Sequence, residues 1–367
     1  MHYQKKKNHN NINCIVPYST INIGINGDIF ICSCEIFLPH PVGNILDIKR
    51  TTYNNMSPDL NEIYEWETTK RILKTISEKT YEYCDTTLCG AISQIHSDIP
   101  VTWDIRPKYI ETNAPLDGTD IKLIEIGIEN TCNLQCGSCR PNIINNNNLK
   151  FTNIEEHVKQ SNLHNHMAAL INNYDHETLI AFGGDGEPFF SKYALTIIKQ
   201  LTYNPKHKYK FRSNGLSIKI VLPKLKIFPL VVSIDISVDG ATKKTHEKIR
   251  KGSNWNKVIS NIKWLANHPD KKFDLTTVFV IQNENYKEIS KFCDLMLKEI
   301  GVDFVSFIRY DYRGHLKDSY KKNAVWLDDH PNHLDYMDQL KLINKNPSET
   351  HKGFNVCLMN NNYCITI

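Results

Sequence analysis

The feature that most constrains the fold is an alternation of strand-like and helix-like segments that begins at residue 121. Short apolar runs typical of strands are followed by segments whose apolar residues recur at helical spacing. The predicted strands are 122–129, 177–182, 208–213, 230–237, 274–281 and 303–309. The predicted helices between them are 153–173, 190–202, 217–226, 254–267 and 285–300. Repeated β–α units of this kind predict an α/β fold with a parallel sheet. In such folds the functional residues lie at the carboxyl ends of the strands.

Three cysteines follow the first of these strands: Cys132, Cys136 and Cys139. Thiolates are soft ligands suited to zinc or to iron–sulfur clusters. A structural zinc site usually takes four protein ligands, and no fourth cysteine or histidine follows within this loop. Three thiolates on a four-iron cluster would leave one iron open to a ligand that is not protein. The alternative is a set of separate core or zinc-binding cysteines.

The spacing Cys-x3-Cys-x2-Cys, with Glu-Asn-Thr at 129–131 and Arg-Pro at 140–141, resembles the radical S-adenosylmethionine (SAM) superfamily. The resemblance implies a [4Fe–4S] cluster on the three cysteines, whose open iron binds the amino and carboxylate groups of SAM. It implies that one electron from the cluster cleaves SAM to methionine and a 5′-deoxyadenosyl radical, which abstracts hydrogen from a substrate. It also implies a partial (β/α)6 barrel of the TIM type over residues 121–312.

Polar motifs follow the second and third predicted strands, at the same edge of the sheet. Residues 183–188, Gly-Gly-Asp-Gly-Glu-Pro, resemble the Gly-Gly-Glu-Pro motif that contacts the SAM amino group in this family, although residues 185–186 intervene. Residues 213–215, Ser-Asn-Gly, resemble a family motif near the ribose and methionine of SAM. The alternative for the second motif is a plain turn, because Asn-Gly is frequent in turns.

The fourth predicted strand ends in Ser-Val-Asp-Gly at 237–240, and an Ile-Arg-Lys-Gly segment follows at 249–252. By resemblance, Ser237 bonds SAM and Arg250 pairs with its carboxylate, whereas a surface salt bridge is the alternative for Arg250. Val280 and Ile281 line the adenine or belong to the core. The resemblance thus implies a SAM site built from Gly183, Gly184, Glu187, Pro188, Ser213, Asn214, Ser237, Asp239 and Arg250.

The segment before the barrel contains a second group of thiols: Cys14, Cys32, Cys34, Cys84 and Cys89. Alternating apolar residues at 21–25 and 28–32 flank Asn26-Gly27, which predicts a hairpin with a two-residue turn. An amphipathic helix is predicted around 59–78. This layout resembles the SPASM/twitch auxiliary-cluster domain, although most relatives carry that domain after the barrel.

By that resemblance Cys14, Cys32, Cys84 and Cys89 hold an auxiliary iron–sulfur cluster, with Cys34 as a substitute ligand. Zinc and no metal remain alternatives, because four thiolates satisfy zinc equally well. The predicted organisation is a polar tail (1–13), the cysteine-rich α+β domain (14–95), a connector (96–120), the barrel (121–312) and a C-terminal extension (313–367). In the extension, Cys357 and Cys364 resemble the opening of another such module, and they complete the N-terminal cluster or stay unliganded.

Composition narrows the class of protein. With 41% hydrophobic and 23% charged residues and a formal charge of +4, the chain reads as a soluble globular protein without a basic patch for nucleic acid. No apolar stretch reaches membrane-spanning length, and residues 1–13 are too polar for a signal peptide, so we expect a cytoplasmic location. Eleven cysteines in a reducing compartment favour metal ligation over disulfides.

The function these features favour is radical modification of a peptide or protein, since auxiliary-cluster domains commonly accompany peptide maturation. Such an enzyme needs an external electron donor such as a flavodoxin or ferredoxin. Two alternatives stay open at this point. One is a radical SAM enzyme that acts on a small metabolite or nucleic acid, and the other is a non-catalytic iron–sulfur or zinc protein.

Overall fold

The computed structural model describes residues 14, 16–32, 37–48, 59–85, 89, 120–127, 130–148, 154–184, 186–310, 317–344, 354–358 and 363–366. The predicted tail and nearly all of the predicted connector lie outside these ranges, as does Cys34. No helix among the described residues is both long and apolar enough to cross a membrane.

The strands fall into one large sheet and one small one. In chain order they are β1 (Thr20–Ile23), β2 (Asp28–Phe30), β3 (Gly43–Asn44), β4 (Leu123–Ile126), β5 (Gln135–Cys136), β6 (Thr178–Phe182), β7 (His207–Ser213), β8 (Val231–Ser237), β9 (Arg250–Lys251), β10 (Asp274–Ile281), β11 (Phe304–Arg309), β12 (Phe354–Leu358) and β13 (Tyr363–Thr366). The large sheet has the order β13-β12-β11-β10-β8-β7-β6-β4-β1-β2-β3, and β5 pairs with β9 alone.

Six central strands, β4, β6, β7, β8, β10 and β11, run parallel to one another. They coincide with the six predicted strands to within three residues at either end. This confirms the predicted α/β class with its parallel sheet. It also places the carboxyl ends of all six strands, and the loops that follow them, at one edge of the sheet.

Helices connect these strands. In chain order they are α1 (Val16–Ser19), α2 (Glu67–Ser77), α3 (Ile154–Asn173), α4 (Lys192–Gln200), α5 (Ile218–Val221), α6 (Lys243–Ile249), α7 (Trp255–Ala266), α8 (Ile289–Cys293), α9 (Lys317–Asn323) and α10 (His333–Asn344). The helix predicted over 217–226 is shorter than expected. After α5 the chain tightens into the 3-10 turn Leu222–Lys224, because Pro223 has no N–H to continue an α-helix.

The two faces of the central sheet differ in polarity. On the face that joins the main hydrophobic core, Ile124, Ile180 and Phe211 are completely buried. On the opposite face lie Glu125, Ala181 and Lys210, and each of them is partly exposed. Since side chains alternate along a strand, successive residues face the hydrophobic core and the polar surface in turn. A shift of the strand register by one residue would exchange the two sets.

The N-terminal segment joins this sheet. Strand β1 pairs in parallel with β4, with Ile21 opposite Ile124, and β2 returns antiparallel to β1. The predicted two-residue turn is wrong: β1 ends at Ile23, and a four-residue loop follows, closed by a bond from the Gly27 N–H to the Gly24 carbonyl of 2.9 Å. Gly27 has φ +84°, a left-handed conformation that glycine adopts without steric cost.

The C-terminal strands lie at the other edge of the sheet order. Strand β12 pairs in parallel with β11, and β13 returns antiparallel to β12 with Cys364 opposite Cys357. In the strand order of the large sheet, β12 is second and β2 is tenth, so the two strands lie near opposite edges. The asparagine run at 360–362, which we expected to form an exposed loop, lies outside the described residues.

Candidate active site

The cysteine loop follows β4 and is held by backbone hydrogen bonds. The Cys132 N–H donates to the Ile144 carbonyl at 2.8 Å, and the Cys139 N–H donates to the Cys136 carbonyl at 3.0 Å. The Leu134 N–H donates to Sγ of Cys132 at 3.4 Å. These bonds fold the loop back on itself, so that residues spaced along it face one another.

The three thiols of this loop interact. Burial raises the pKa of Cys136 to about 12, and the neighbouring charges of Cys132 and Cys139 add to that rise. Nη2 of Arg140 lies 3.6 Å from Sγ of Cys139, and Nη1 donates to the Asn130 carbonyl at 2.6 Å. Arg140 therefore places a positive charge beside a sulfur atom of the loop.

These residues fit the iron–sulfur cluster that the sequence predicts. Cluster assembly requires deprotonated thiols. Burial raises the pKa of Cys132 and of Cys136, and the positive charge of bound iron would lower both values again. No three His, Cys, Asp or Glu side chains of the described residues are arranged to ligate a single metal ion.

Arg250 reaches this loop through the small sheet. Strand β5 pairs antiparallel with β9, which sets Cys136 opposite Arg250. Nε of Arg250 donates to Oδ2 of Asp239 at 2.8 Å, and both residues are buried. The alternative of a surface salt bridge is therefore wrong, because the β5–β9 pairing draws the guanidinium inside. Oδ1 of Asp239 accepts from the Val280 N–H at 2.8 Å, which fixes the carboxylate.

Glu187 joins three of the predicted motifs. Its N–H donates to the Thr131 carbonyl at 2.9 Å, at the start of the cysteine loop. Its carboxylate accepts from the Ser213 hydroxyl at 2.7 Å and from the Asn214 N–H at 2.6 Å. Burial raises the pKa of Glu187 to about 7 despite these bonds. The side chain is thus occupied within the protein and holds the ends of β6 and β7 against the loop.

The remaining predicted SAM contacts lie around this centre. Nδ2 of Asn214 donates to Oδ1 of Asn133, inside the cysteine loop, at 2.8 Å. Pro188 is buried behind Glu187, whereas Ser237 and Val280 are half-exposed on the polar face. Ile281 is completely buried in the hydrophobic core, which favours packing over adenine contact for that residue.

Gly183 and Gly184 turn the chain after β6 with φ +121° and +123°. A Cβ on Gly183 would lie 2.6 Å from the Arg212 carbonyl oxygen, whereas a Cβ on Gly184 would meet nothing within 4 Å.

We expect Gly183→Ala and Gly184→Ala each to lower the free energy of unfolding by about 1–3 kcal/mol for the strained φ. Gly183→Ala should lose more, because the Arg212 backbone must also shift. Urea unfolding of both variants measures the difference, and equal losses would contradict the close approach.

Comparison with known proteins identifies this arrangement. Residues 127–296 match the family model of the radical SAM superfamily. The chain contains a radical SAM domain. The matched region spans the cysteine loop, the glycine turn and the ends of β7, β8 and β10. Superfamily members are enzymes, and the domain implies SAM and a [4Fe–4S] cluster as cofactors.

Solved structures similar to this chain share little sequence with it. SuiB of Streptococcus suis bound to the precursor peptide SuiA is 15% identical, with 86% of this chain and 58% of that one covered and a TM-score of 0.41. The native protein anSMEcpe with bound AdoMet is 19% identical, with 64% of each chain covered and a TM-score of 0.38. SuiB bound to S-adenosylmethionine is 15% identical, with 65% of this chain covered and a TM-score of 0.40, and the aligned part is about half, 50%, of its length. No curated protein sequence matches the chain.

The N-terminal thiols form a second group, apart from the radical SAM loop. Burial raises the pKa of Cys84 to about 12, and the charges of Cys14 and Cys89 contribute, so these three lie near one another. Cys14 precedes β1, and Cys32 follows the antiparallel β2, so both lie toward the amino ends of the parallel strands. The cysteine loop lies at the carboxyl ends. The two thiol groups therefore occupy opposite ends of the sheet.

Two residues of the site were not predicted from the sequence. The hydroxyl of Tyr310 donates to the Gly137 carbonyl at 2.9 Å and supports the radical SAM loop from the end of β11. Asn133 receives the Asn214 bond described above. The available signal was position alone: Tyr310 directly follows a predicted strand, and Asn133 lies between two predicted ligands. Cys293, predicted to be a buried packing residue, is buried in α8.

Proposed function

We propose that this protein is a radical SAM enzyme that abstracts a hydrogen atom from a peptide or protein substrate. When bound, the cluster and SAM supply the reducing electron and the 5′-deoxyadenosyl radical for that abstraction. The observation that carries the proposal is the convergence of three thiols, Arg140 and the Glu187 network at the carboxyl edge of the parallel sheet. An external flavodoxin or ferredoxin would deliver the electron.

The protein's own residues would hold and shield this centre. Cys132, Cys136 and Cys139 would ligate the cluster, and Arg140 would offset their negative charge. The Glu187 carboxylate positions Ser213 and Asn214 beside the loop, while the glycine turn offers exposed backbone groups to SAM. The Arg250–Asp239 pair would close the site below Cys136 and exclude water.

Two features support a peptide substrate and an auxiliary cluster. The layout of Cys14, Cys32, Cys84 and Cys89 resembles a domain that commonly accompanies peptide maturation. Toward the carboxyl ends of the strands, the face of the sheet opposite the core is polar and partly exposed, which suits a large substrate. We propose that these four thiols hold the second cluster.

Anaerobic reconstitution with iron and sulfide, followed by SAM and dithionite, tests the proposal. We expect 5′-deoxyadenosine in the absence of substrate, because the chain has the three thiols and the motifs that the proposed radical SAM centre requires. An iron content of about four atoms per chain indicates one cluster, and about eight indicates two. The control omits dithionite. A protein with full iron content that forms no 5′-deoxyadenosine would instead be a non-catalytic iron–sulfur protein.

A further inference from the structure

On the polar face of the sheet, a small side chain lies between larger charged ones. In register, Ala181 of β6 lies between Glu125 of β4 and Lys210 of β7. Arg212 follows two residues later on β7 and points to the same face. Because neighbouring strands lie about 4.8 Å apart, the backbones of the two walls are separated by roughly 10 Å. We call this feature, formed by Glu125, Ala181, Lys210 and Arg212, the Ala181 groove.

One wall of the groove presents an unsatisfied acceptor. Oε2 of Glu125 is buried and has no hydrogen-bond partner among the described residues. Arg212 and Lys210 act on this carboxylate electrostatically, but burial outweighs them and raises its pKa to about 7. A buried acceptor left unpaired is unfavourable, and a hydrogen-bond donor of a ligand would remove that cost.

The other wall presents donors. Oδ2 of the buried Asp235 lies 2.9 Å from Nζ of Lys210 and 3.3 Å from Nη2 of Arg212. One carboxylate thus serves two cations and holds them in place. The Arg212 side chain is 45% exposed, and its contact with Asp235 uses one end of a guanidinium that has five N–H donors.

The groove lies directly below the proposed SAM site. Arg212 precedes Ser213, whose hydroxyl donates to Glu187. On β8, Asp235 lies on the same face as Ser237, two residues closer to the amino end. Toward the amino ends, Leu123 and Leu179 form a small apolar cluster of their own on this face. A group held in the groove therefore lies between an apolar base and the radical centre.

We propose that the Ala181 groove binds a backbone amide of the substrate, with Glu125 accepting its N–H and Arg212 donating to its carbonyl oxygen. This inference rests on the proposed function, because it places the amide beside the SAM site. An amide supplies the donor and the acceptor that the two walls lack. A nucleic acid fits less well, because its phosphates would meet the carboxylates of Glu125 and Asp235.

The test uses the reconstituted full-length protein with SAM, dithionite and a tryptic digest of uniformly deuterated protein as the probe. Two quantities are measured: the peptides retained with the protein after gel filtration, and the deuterium carried into 5′-deoxyadenosine. We expect Glu125→Leu to lower both by about tenfold, because the amide donor loses its acceptor. Ala181→Leu should have a similar effect, because it fills the groove and leaves every charge in place.

Matched controls are Glu177→Leu, an exposed carboxylate before β6, and Ala266→Leu at the end of α7; both should behave as the wild type. Melting temperature and iron content show that each variant is folded. Wild-type levels of retained peptide and transferred deuterium in both groove variants would overturn the inference. So would transfer from deuterated nucleosides but not from peptides. If the wild type forms 5′-deoxyadenosine but the groove variants behave like it, only this inference fails. If the wild type forms no 5′-deoxyadenosine, the proposed function fails.

Discussion

Replacing Cys136 with alanine is expected to lower 5′-deoxyadenosine formation to the level seen without protein. Cys136 is buried between the charges of Cys132 and Cys139, so its loss leaves two thiolates for a cluster that needs three. Iron content should fall by about four atoms per chain. Product is measured by mass spectrometry after reduction with dithionite, and iron by a colorimetric assay on the same sample.

Cys293→Ala is the control for this result. Cys293 is also a buried thiol, but it lies in α8 within the hydrophobic core and packs there as a small apolar side chain. The variant should keep wild-type iron content and product, with a loss of stability of about 1 kcal/mol for the small cavity. If Cys136→Ala retained iron and product while Cys293→Ala lost them, the position of the cluster would be wrong.

Replacing Arg250 with methionine is expected to lower the free energy of unfolding more than Gly183→Ala, Gly184→Ala or Cys293→Ala does. The side chain of Asp239 is completely enclosed and its Oδ2 accepts from Nε of Arg250 at 2.8 Å. Removal of one partner of a buried ion pair leaves an uncompensated charge, which typically costs about 3–5 kcal/mol. Urea unfolding of the reconstituted variant, followed by circular dichroism, measures the change.

The double variant Asp239→Asn with Arg250→Met separates charge from packing. The amide introduced by Asp239→Asn carries no charge and keeps a side-chain oxygen for the Val280 N–H, so more than half of the lost stability should return. Asp239→Asn alone should be destabilised, because the guanidinium then lacks its anion. Losses that simply add in the double variant would show that the two side chains do not act as a pair.

The order of elements and the position of the site were accessible from the sequence for local reasons. Each predicted strand from 122 to 309 is a short run rich in apolar residues, and each of the first five is followed by helical periodicity. Loops after parallel strands share one edge, which is why Cys132, Glu187 and Asn214 could be expected together before any contact was known. Because Glu187 is buried, its carboxylate needs hydrogen-bond partners within the protein, and Ser213 and Asn214 supply them.

Long-range pairing was not accessible in this way. Nothing local to residues 20–23 indicates that β1 lies in parallel beside β4, about a hundred positions further along the chain. The β5–β9 pairing is equally remote, and each of its strands is only two residues long, too short for a periodic pattern. Arg250 was therefore left open to a surface role, whereas the structure buries it against Asp239.

Residue types and their spacing were enough to predict the parallel α/β class, the three thiols that match a radical SAM loop and the motifs that follow the strands. These properties depend on residue type and spacing over a few positions. The fold alone shows that Arg250 pairs with Asp239, that the N-terminal thiols lie at the opposite end of the sheet, and that Glu125 faces Lys210 across Ala181. Those relations depend on strand order and register, which arise when distant segments pack and which no short stretch of sequence encodes.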